Sequence, residues 1–212
     1  MVTKPGMGAG VNKNTEQIAH ILDRAHSETD ILVSMKMRLG YDTTEEILDV
    51  LPILDRYPLK NIAIHARIGK QLYNGGVHLD AFQHCIDNTK HKLYYNGDIT
   101  SVAKFKEMQG RCPTIDHWMI GRGLISDPFL PSMIRSNSLE YPKNKMELFR
   151  KFHDVLYAIY SESLSGQTHI LLKMYHLWEY FSVTFSNPHK VLKLIKKAQS
   201  IRNYEAAVDA IF

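Results

Sequence analysis

Residues 93–100 read LYYNGDIT. An apolar, aromatic run stops at Asn96-Gly97-Asp98, and Asn-Gly between apolar runs is a strong hairpin signal. A hairpin needs a second strand directly after its turn. The chain continues instead with SVAKFKEMQG, with Val102, Phe105 and Met108 at helical spacing and Ser101 placed as an N-cap. The segment therefore reads strand, turn, helix. Asn96–Asp98 closes a parallel strand, at the end where α/β folds hold their ligands.

The flanking sequence repeats this pattern. Residues 1–14 are Gly-rich and polar and read as loop; Thr15 then caps a helix over 16–27, carried by Ile18, Ile21 and Leu22. A strand is expected over 31–37, and a helix opened by Thr43 and Thr44 and stopped near Pro52. A strand over 61–66 and a helix over 79–88 precede LYYNGD. A strand in DHWMIGRG and a short helix in DPFLPSMI come after it. Strands alternating with helices at this spacing imply βαβ units and a parallel sheet. After Pro142 no strand-like run remains, and four segments show i, i+3, i+4 apolar spacing. The expectation is a small all-α domain over 143–212, separated near SLEYPKNK from a βα body over 1–140.

Of the 212 residues, 44% are hydrophobic and 23% charged, an ordinary balance for a water-soluble globular chain. No apolar run reaches the length of a membrane span, and MVTKPGMGAG has no signal-peptide core. Cys85 and Cys112 lack metal-ligand spacing, which points to a reducing, cytoplasmic setting and no metal. Residues 1–142 hold 16 Lys+Arg and 16 Asp+Glu, whereas 143–212 hold 10 against 6. The basic excess lies wholly in the C-terminal third. It fits either a polyanion partner or a solvated helical surface.

Each expected strand finishes in polar residues: Lys36 and Arg38; His65 and Arg67; Asn96, Gly97 and Asp98; Gly121, Arg122 and Gly123. Taken singly, Lys36 could be a surface lysine, His65 a core histidine, and Arg122 a partner of Asp127. Buried polar groups are costly unless paired, so four coincident cases at one end of consecutive strands argue for a shared site. Glycines there permit close backbone approach, and an arginine between glycines suits a phosphate. A lysine and a histidine on earlier strands suit a flat, electron-rich ring.

VSMKMRLG, IAIHARIGKQLYNGG, YYNGDITS and WMIGRGLISDPF, in this order and spacing, resemble signatures of the tRNA-dihydrouridine synthases. That family consists of FMN-dependent (β/α)8 TIM barrels with a C-terminal helical domain. The resemblance implies that this chain is the C-terminal half of such a barrel followed by the helical domain. It implies that Lys36 and His65 contact the flavin ring, that Asn96, Gly97 and Asp98 line its ribityl-phosphate side, and that Gly121 and Arg122 hold its phosphate. Arg38, Arg67, Lys70 and Gln71 would lie on the RNA-facing side. It further implies NADPH as reductant, tRNA as partner, and a uracil drawn out of its stack for reduction to 5,6-dihydrouridine.

The family's catalytic cysteine, in an Asn-x-Gly-Cys-Pro motif, would lie upstream of Met1, so no catalytic residue is expected here. Cys112-Pro113 matches only half of that motif and reads as a loop or buried thiol; Cys85 reads as core. A half barrel would expose two edge strands and an apolar inner face, which implies self-association through those edges. Two other readings stay open: a non-catalytic remnant that binds RNA or phosphate, and another FMN-dependent barrel acting on a small molecule.

Overall fold

A computed structural model describes residues 8–212. A 3-10 turn, Gly8–Lys13, leads into α1, Thr15–Glu28. Next in the chain are β1 Met35–Gly40, α2 Glu46–Leu54, β2 Ile62–Ile68, α3 Leu79–Asp87, β3 Leu93–Asn96, α4 Val102–Arg111 and β4 Trp118–Met119. From there every helix or strand among the described residues is a helix: α5 Arg122–Ser126, α6 Leu130–Ser136, α7 Lys145–Ser163, α8 Gln167–Phe181, α9 Pro188–Lys197 and α10 Ile201–Ile211, with a 3-10 turn at Ser182–Thr184. The expectation for residues 1–7 lies outside the described residues.

The mixed α/β reading holds, with one parallel four-stranded sheet in the order β1-β2-β3-β4. The chain divides into two compact units, one of residues 1–99 and 106–120, the other of 100–105 and 121–212.

In the first unit the sheet's two faces differ in chemistry. Side chains alternate along a strand, so Met37, Ile64 and Tyr95 share one face. The helices cover that face: Phe82 of α3 meets the Tyr95 ring edge-on at 5.0 Å, and the Tyr95 hydroxyl lies 3.5 Å from Met108 Sδ of α4. The other face carries Lys36, Arg38, His65, Arg67, Tyr94 and Asn96. It is polar, not apolar as a half barrel was expected to present. β1 and β4 are the sheet's two edges.

The strands also run further than expected. β1 begins at Met35 and continues to Gly40, while Ile31 and Leu32 before it are 73% and 69% exposed. Lys36, Arg38, His65 and Arg67 thus lie within strands rather than at their ends. Strand character survives because these residues occupy alternate positions on the face the helices leave uncovered. α1 is capped by Asn14, whose side chain accepts from Gln17 N–H at 2.9 Å, so Thr15 is its first residue rather than its cap.

Pro52 does not stop α2, which reaches Leu54. The bond that Pro52 forfeits would end on the carbonyl of Leu48, a residue 39% exposed and open to water. Ser101 does cap α4, accepting from Lys104 N–H at 3.1 Å. α5 was not expected; five residues are too short to show a period.

The second unit is built on an apolar cluster of Phe149, Met174, Trp178, Phe181, Ile195, Tyr204 and Val208, contributed by α7 to α10. No helix among the described residues is long and apolar enough to cross a membrane.

Candidate functional site

Strand register sets the site. Arg38 pairs with His65, His65 with Asn96, and Asn96 with Met119, so one row of side chains crosses the uncovered face. Lys36 stands one step earlier on that face, opposite Ala63. Asn96 Nδ2 donates to the carbonyl of Met119 at 2.6 Å, which ties β3 to β4 at the row's end.

Beside this row lies a cleft of about 550 Å³, lined by Lys36, Arg38, His65 and Tyr73 together with Asn12 and Tyr41. Asn12 donates to the Arg38 carbonyl at 2.9 Å, fixing the 3-10 turn against β1. The cleft is cationic, and its cations are perturbed. Partial burial, then the neighbouring Arg38, lowers the Lys36 ammonium below its usual range. Burial, then Arg38, Arg67 and Lys36, lowers His65 to about 4, with Asp98 opposing. His65 is therefore neutral at pH 7.

The loop from Gly69 to His78 closes one side of the cleft. Two arginines and a glutamine grip its carbonyls. Arg38 Nη1 donates to Ile68 O at 2.7 Å and to Leu72 O at 2.8 Å. Arg67 Nη2 donates to Gly75 O at 2.7 Å, and Gln71 Nε2 to Gly76 O at 2.6 Å. The gripped loop holds Tyr73, 51% exposed, with its ring 5.9 Å from His65 and 5.5 Å from the Arg38 guanidinium. Cation–π attraction suits that last distance.

The residues expected to face RNA separate here. Lys70 is 63% exposed and pairs with Asp42, which also binds Lys13. Arg38 and Gln71 are engaged with loop carbonyls but lie at the surface of the site. Arg67 is 2% exposed, and its guanidinium is held by Asp98; that burial leaves it nothing to offer a polyanion. Gly97 is required where it stands. Its φ is +149°, and a Cβ there would lie 2.9 Å from Val77 Cγ1. Asp98 comes next, at φ +47°.

Gly121 and Arg122 belong to the second unit, at the start of α5. Nothing within 4 Å would meet a Cβ on Gly121, so space there is open. Asp127, considered as a partner for Arg122, accepts from Phe129 N–H at 3.0 Å and from the Tyr141 hydroxyl at 2.7 Å. Cys85 and Cys112 are both buried, and burial pushes the Cys85 thiol up to about 12 and Cys112 upward as well.

The donor set of the cleft suits a planar, electron-rich and anionic group: an ammonium, a guanidinium and a neutral imidazole beside an aromatic ring. Tyr73, Asn12 and Tyr41 were not singled out from the sequence. For Tyr73 the available signal was an aromatic residue inside a loop bounded by Gly69 and Gly75.

A family model described as dihydrouridine synthase (Dus) matches residues 1–211. A probable tRNA-dihydrouridine synthase of Rickettsia prowazekii (strain Madrid E) is 27% identical over 165 residues, covering 74% of this chain and 50% of its own. A tRNA-dihydrouridine(16) synthase of Ralstonia nicotianae (strain ATCC BAA-1114 / GMI1000) is 29% identical over 149 residues, covering 68% of this chain and 44% of its own. One of Cupriavidus necator is 31% identical over 137 residues, covering 64% and 42%. The chain spans about half the length of the curated relatives it matches.

Proposed function

Since the chain belongs to the dihydrouridine synthase family, we propose that it serves the FMN- and NADPH-dependent reduction of uridine to 5,6-dihydrouridine in tRNA. The proposal takes residues 1–140 as the last four βα units of a (β/α)8 barrel, and 143–212 as a helical tRNA-binding domain. The observation that carries it is the convergence of Lys36, Arg38, His65 and Tyr73 on one cleft at the uncovered face of the parallel sheet.

In this reading Lys36 and His65 hold the flavin ring. Lys36 presents positive charge to the electron-rich edge, and His65, being neutral, hydrogen-bonds without adding charge. Asn96, Gly97 and Asp98 shape the ribityl side. Gly121 and Arg122 take the phosphate, an assignment supported by the sequence resemblance rather than by geometry. FMN, when bound, supplies the hydride; these residues orient the ring and exclude water. Arg38, Lys70 and Gln71 face the RNA, and Tyr73 offers a stacking surface for a base drawn from its stack.

Neither cysteine stands in an Asn-x-Gly-Cys-Pro motif, and both are buried. That favours a second reading, in which these 212 residues bind RNA or phosphate without turnover. Flavin absorbance and fluorescence, titrated with the wild-type chain and with Lys36→Met, test the site. A perturbed flavin spectrum that weakens in Lys36→Met is expected; an unperturbed spectrum at saturating protein would overturn it. Incubation with reduced FMN and unmodified tRNA separates the two readings by whether dihydrouridine forms.

A further inference from the structure

The Arg67 guanidinium has five N–H donors, and the structure accounts for each. One Nη1–H goes to Asp98 Oδ1 at 2.8 Å, and Nη2 supplies one donor to Asp98 Oδ2 and one to Gly75 O at 2.7 Å. The remaining Nη1–H faces His65 Nε2 at 3.3 Å, while Nε–H is buried without a partner. Arginine offers donors only and keeps its proton. The His65 nitrogen that faces it must therefore carry the lone pair, which leaves the imidazole proton on Nδ1.

The surroundings agree. A doubly protonated His65 would set two donors of like charge against each other, with Arg38 and Lys36 adding to the repulsion and Asp98 alone opposing it. Asp98 cannot easily release Arg67, because the two form a forked pair at a buried site. Among the described residues none bonds to His65 Nδ1, and the ring lines the cleft.

We propose that Arg67, held by Asp98, is a positioning residue that fixes His65 as the neutral Nδ1–H tautomer, so that His65 offers the cleft's ligand one donor and no acceptor. This sets the ligand class. It is a planar heterocycle that turns a carbonyl oxygen or an unprotonated ring nitrogen toward His65; a ring N–H at that place is refused. Only the identity of the ligand rests on the flavin reading above.

The test is long-range 1H–15N correlation on the ligand-free chain, labelled with 15N-histidine, at neutral pH, with His65→Gln to assign the signals. The expected result is one protonated nitrogen, Nδ1. The Nε2–H tautomer or an imidazolium at pH 7 would overturn the proposal. Arg67→Met removes the donor and is expected to shift the tautomer ratio toward Nε2–H by about tenfold or more, the worth of one buried hydrogen bond. A folded Arg67→Met chain with an unchanged ratio would reduce Arg67 to a structural role and refute the assignment. Should that variant fail to fold, the wild-type tautomer still decides. No flavin or RNA is present, so the outcome is independent of whether the flavin reading survives.

Discussion

The hydroxyl of Tyr204 lies 2.6 Å from Nε2 of the buried His153, and the Trp178 indole nitrogen lies 2.9 Å from the same oxygen. Indole can only donate, so Tyr204 accepts from Trp178. The Asp154 carboxylate, 2.8 Å from His153 Nδ1, can only accept, so it holds the imidazole proton on Nδ1 and leaves Nε2 to take the Tyr204 proton. Trp178, Tyr204, His153 and Asp154 form one directed chain through the core of the helical unit. Tyr204→Phe leaves an indole donor and an imidazole lone pair buried and unpaired, each worth roughly 1–3 kcal/mol. Urea unfolding of the two chains should show a lower midpoint with an unchanged slope; equal midpoints would mean the hydrogen-bonded chain contributes nothing.

His65 makes stability depend on pH. Its folded value, about 4, lies below the 6.5 of an exposed histidine. Between those values the unfolded chain binds the extra proton, so stability is complete above pH 6.5 and falls as the pH drops toward 4. The full loss is roughly 3 kcal/mol for this one group. Burial lowers His153 too, with Asp154 opposing, so it acts with the same sign. Thermal midpoints of wild type and His65→Gln, measured from pH 7.5 to 4, should converge as the pH falls. A constant difference would show that His65 is not the group responsible.

How much of this was legible in the sequence depends on which forces each residue answers to. The end of β3 at Asn96 was readable because Asn-Gly-Asp is local turn chemistry with local helix capping at Ser101 directly after it. The start of β1 was not. Ile31 and Leu32 look like a strand but are exposed, while the true strand carries Lys36 and Arg38. Apolar content cannot show that one sheet face lacks a helical cover. The convergence of Lys36 and His65 was legible as polar residues in equivalent places on successive strands. The burial of Arg67 was not, because its partner Asp98 is 31 positions away. Arg38 likewise reaches Leu72 across 34 positions.

Two glycines give a paired test of the turn that ends β1. A Cβ on Gly40 would sit 2.1 Å from the Thr43 carbonyl oxygen, in a turn where the Glu46 carboxylate already accepts N–H groups from Tyr41, Asp42 and Thr43. Gly40→Ala should cost about 3 kcal/mol or more, since backbone must move and the Glu46 bonds with it. A Cβ on Gly76 meets nothing within 4 Å, so Gly76→Ala should stay within about 0.5 kcal/mol. Similar midpoints for both variants in thermal unfolding would show that the turn yields without cost.

For the flavin reading, Arg122→Ala should weaken FMN binding and Cys112→Ala should leave it nearly unchanged. A charge-assisted phosphate contact is worth roughly 1.5–3 kcal/mol, or about 10- to 150-fold in Kd. Cys112 is 1% exposed and serves packing. Equal affinities for wild type and Arg122→Ala would remove Arg122 from the phosphate. Cys85 and Cys112 are both buried, so neither is placed to act as general acid, and the 212 residues alone should form little dihydrouridine in a single turnover with reduced FMN; going without that group costs roughly 10²–10⁴-fold.

The last prediction concerns α9. Val191 and Ile195 are buried in the helical core and Leu192 is half-buried, while Lys193, Lys196 and Lys197 are exposed along the opposite side. The Lys196 ammonium lies 5.8 Å from the centre of the Tyr175 ring, an aromatic surface beside a positive charge of the kind that binds single-stranded nucleic acid. RNA helices are read mainly through shape and phosphates, so this face should add affinity without base specificity. Each phosphate contact contributes about 0.7–0.9 to the slope of log K against log salt. Replacing Lys193, Lys196 and Lys197 together by Ala should weaken tRNA binding and flatten that slope by up to about 2–3. All three are exposed, so the fold should be little affected, and matching unfolding midpoints would confirm that the comparison is clean. A solvated face with no RNA contact predicts the same slope in both chains, and that result, from titrations at several salt concentrations, would take these lysines out of the interface.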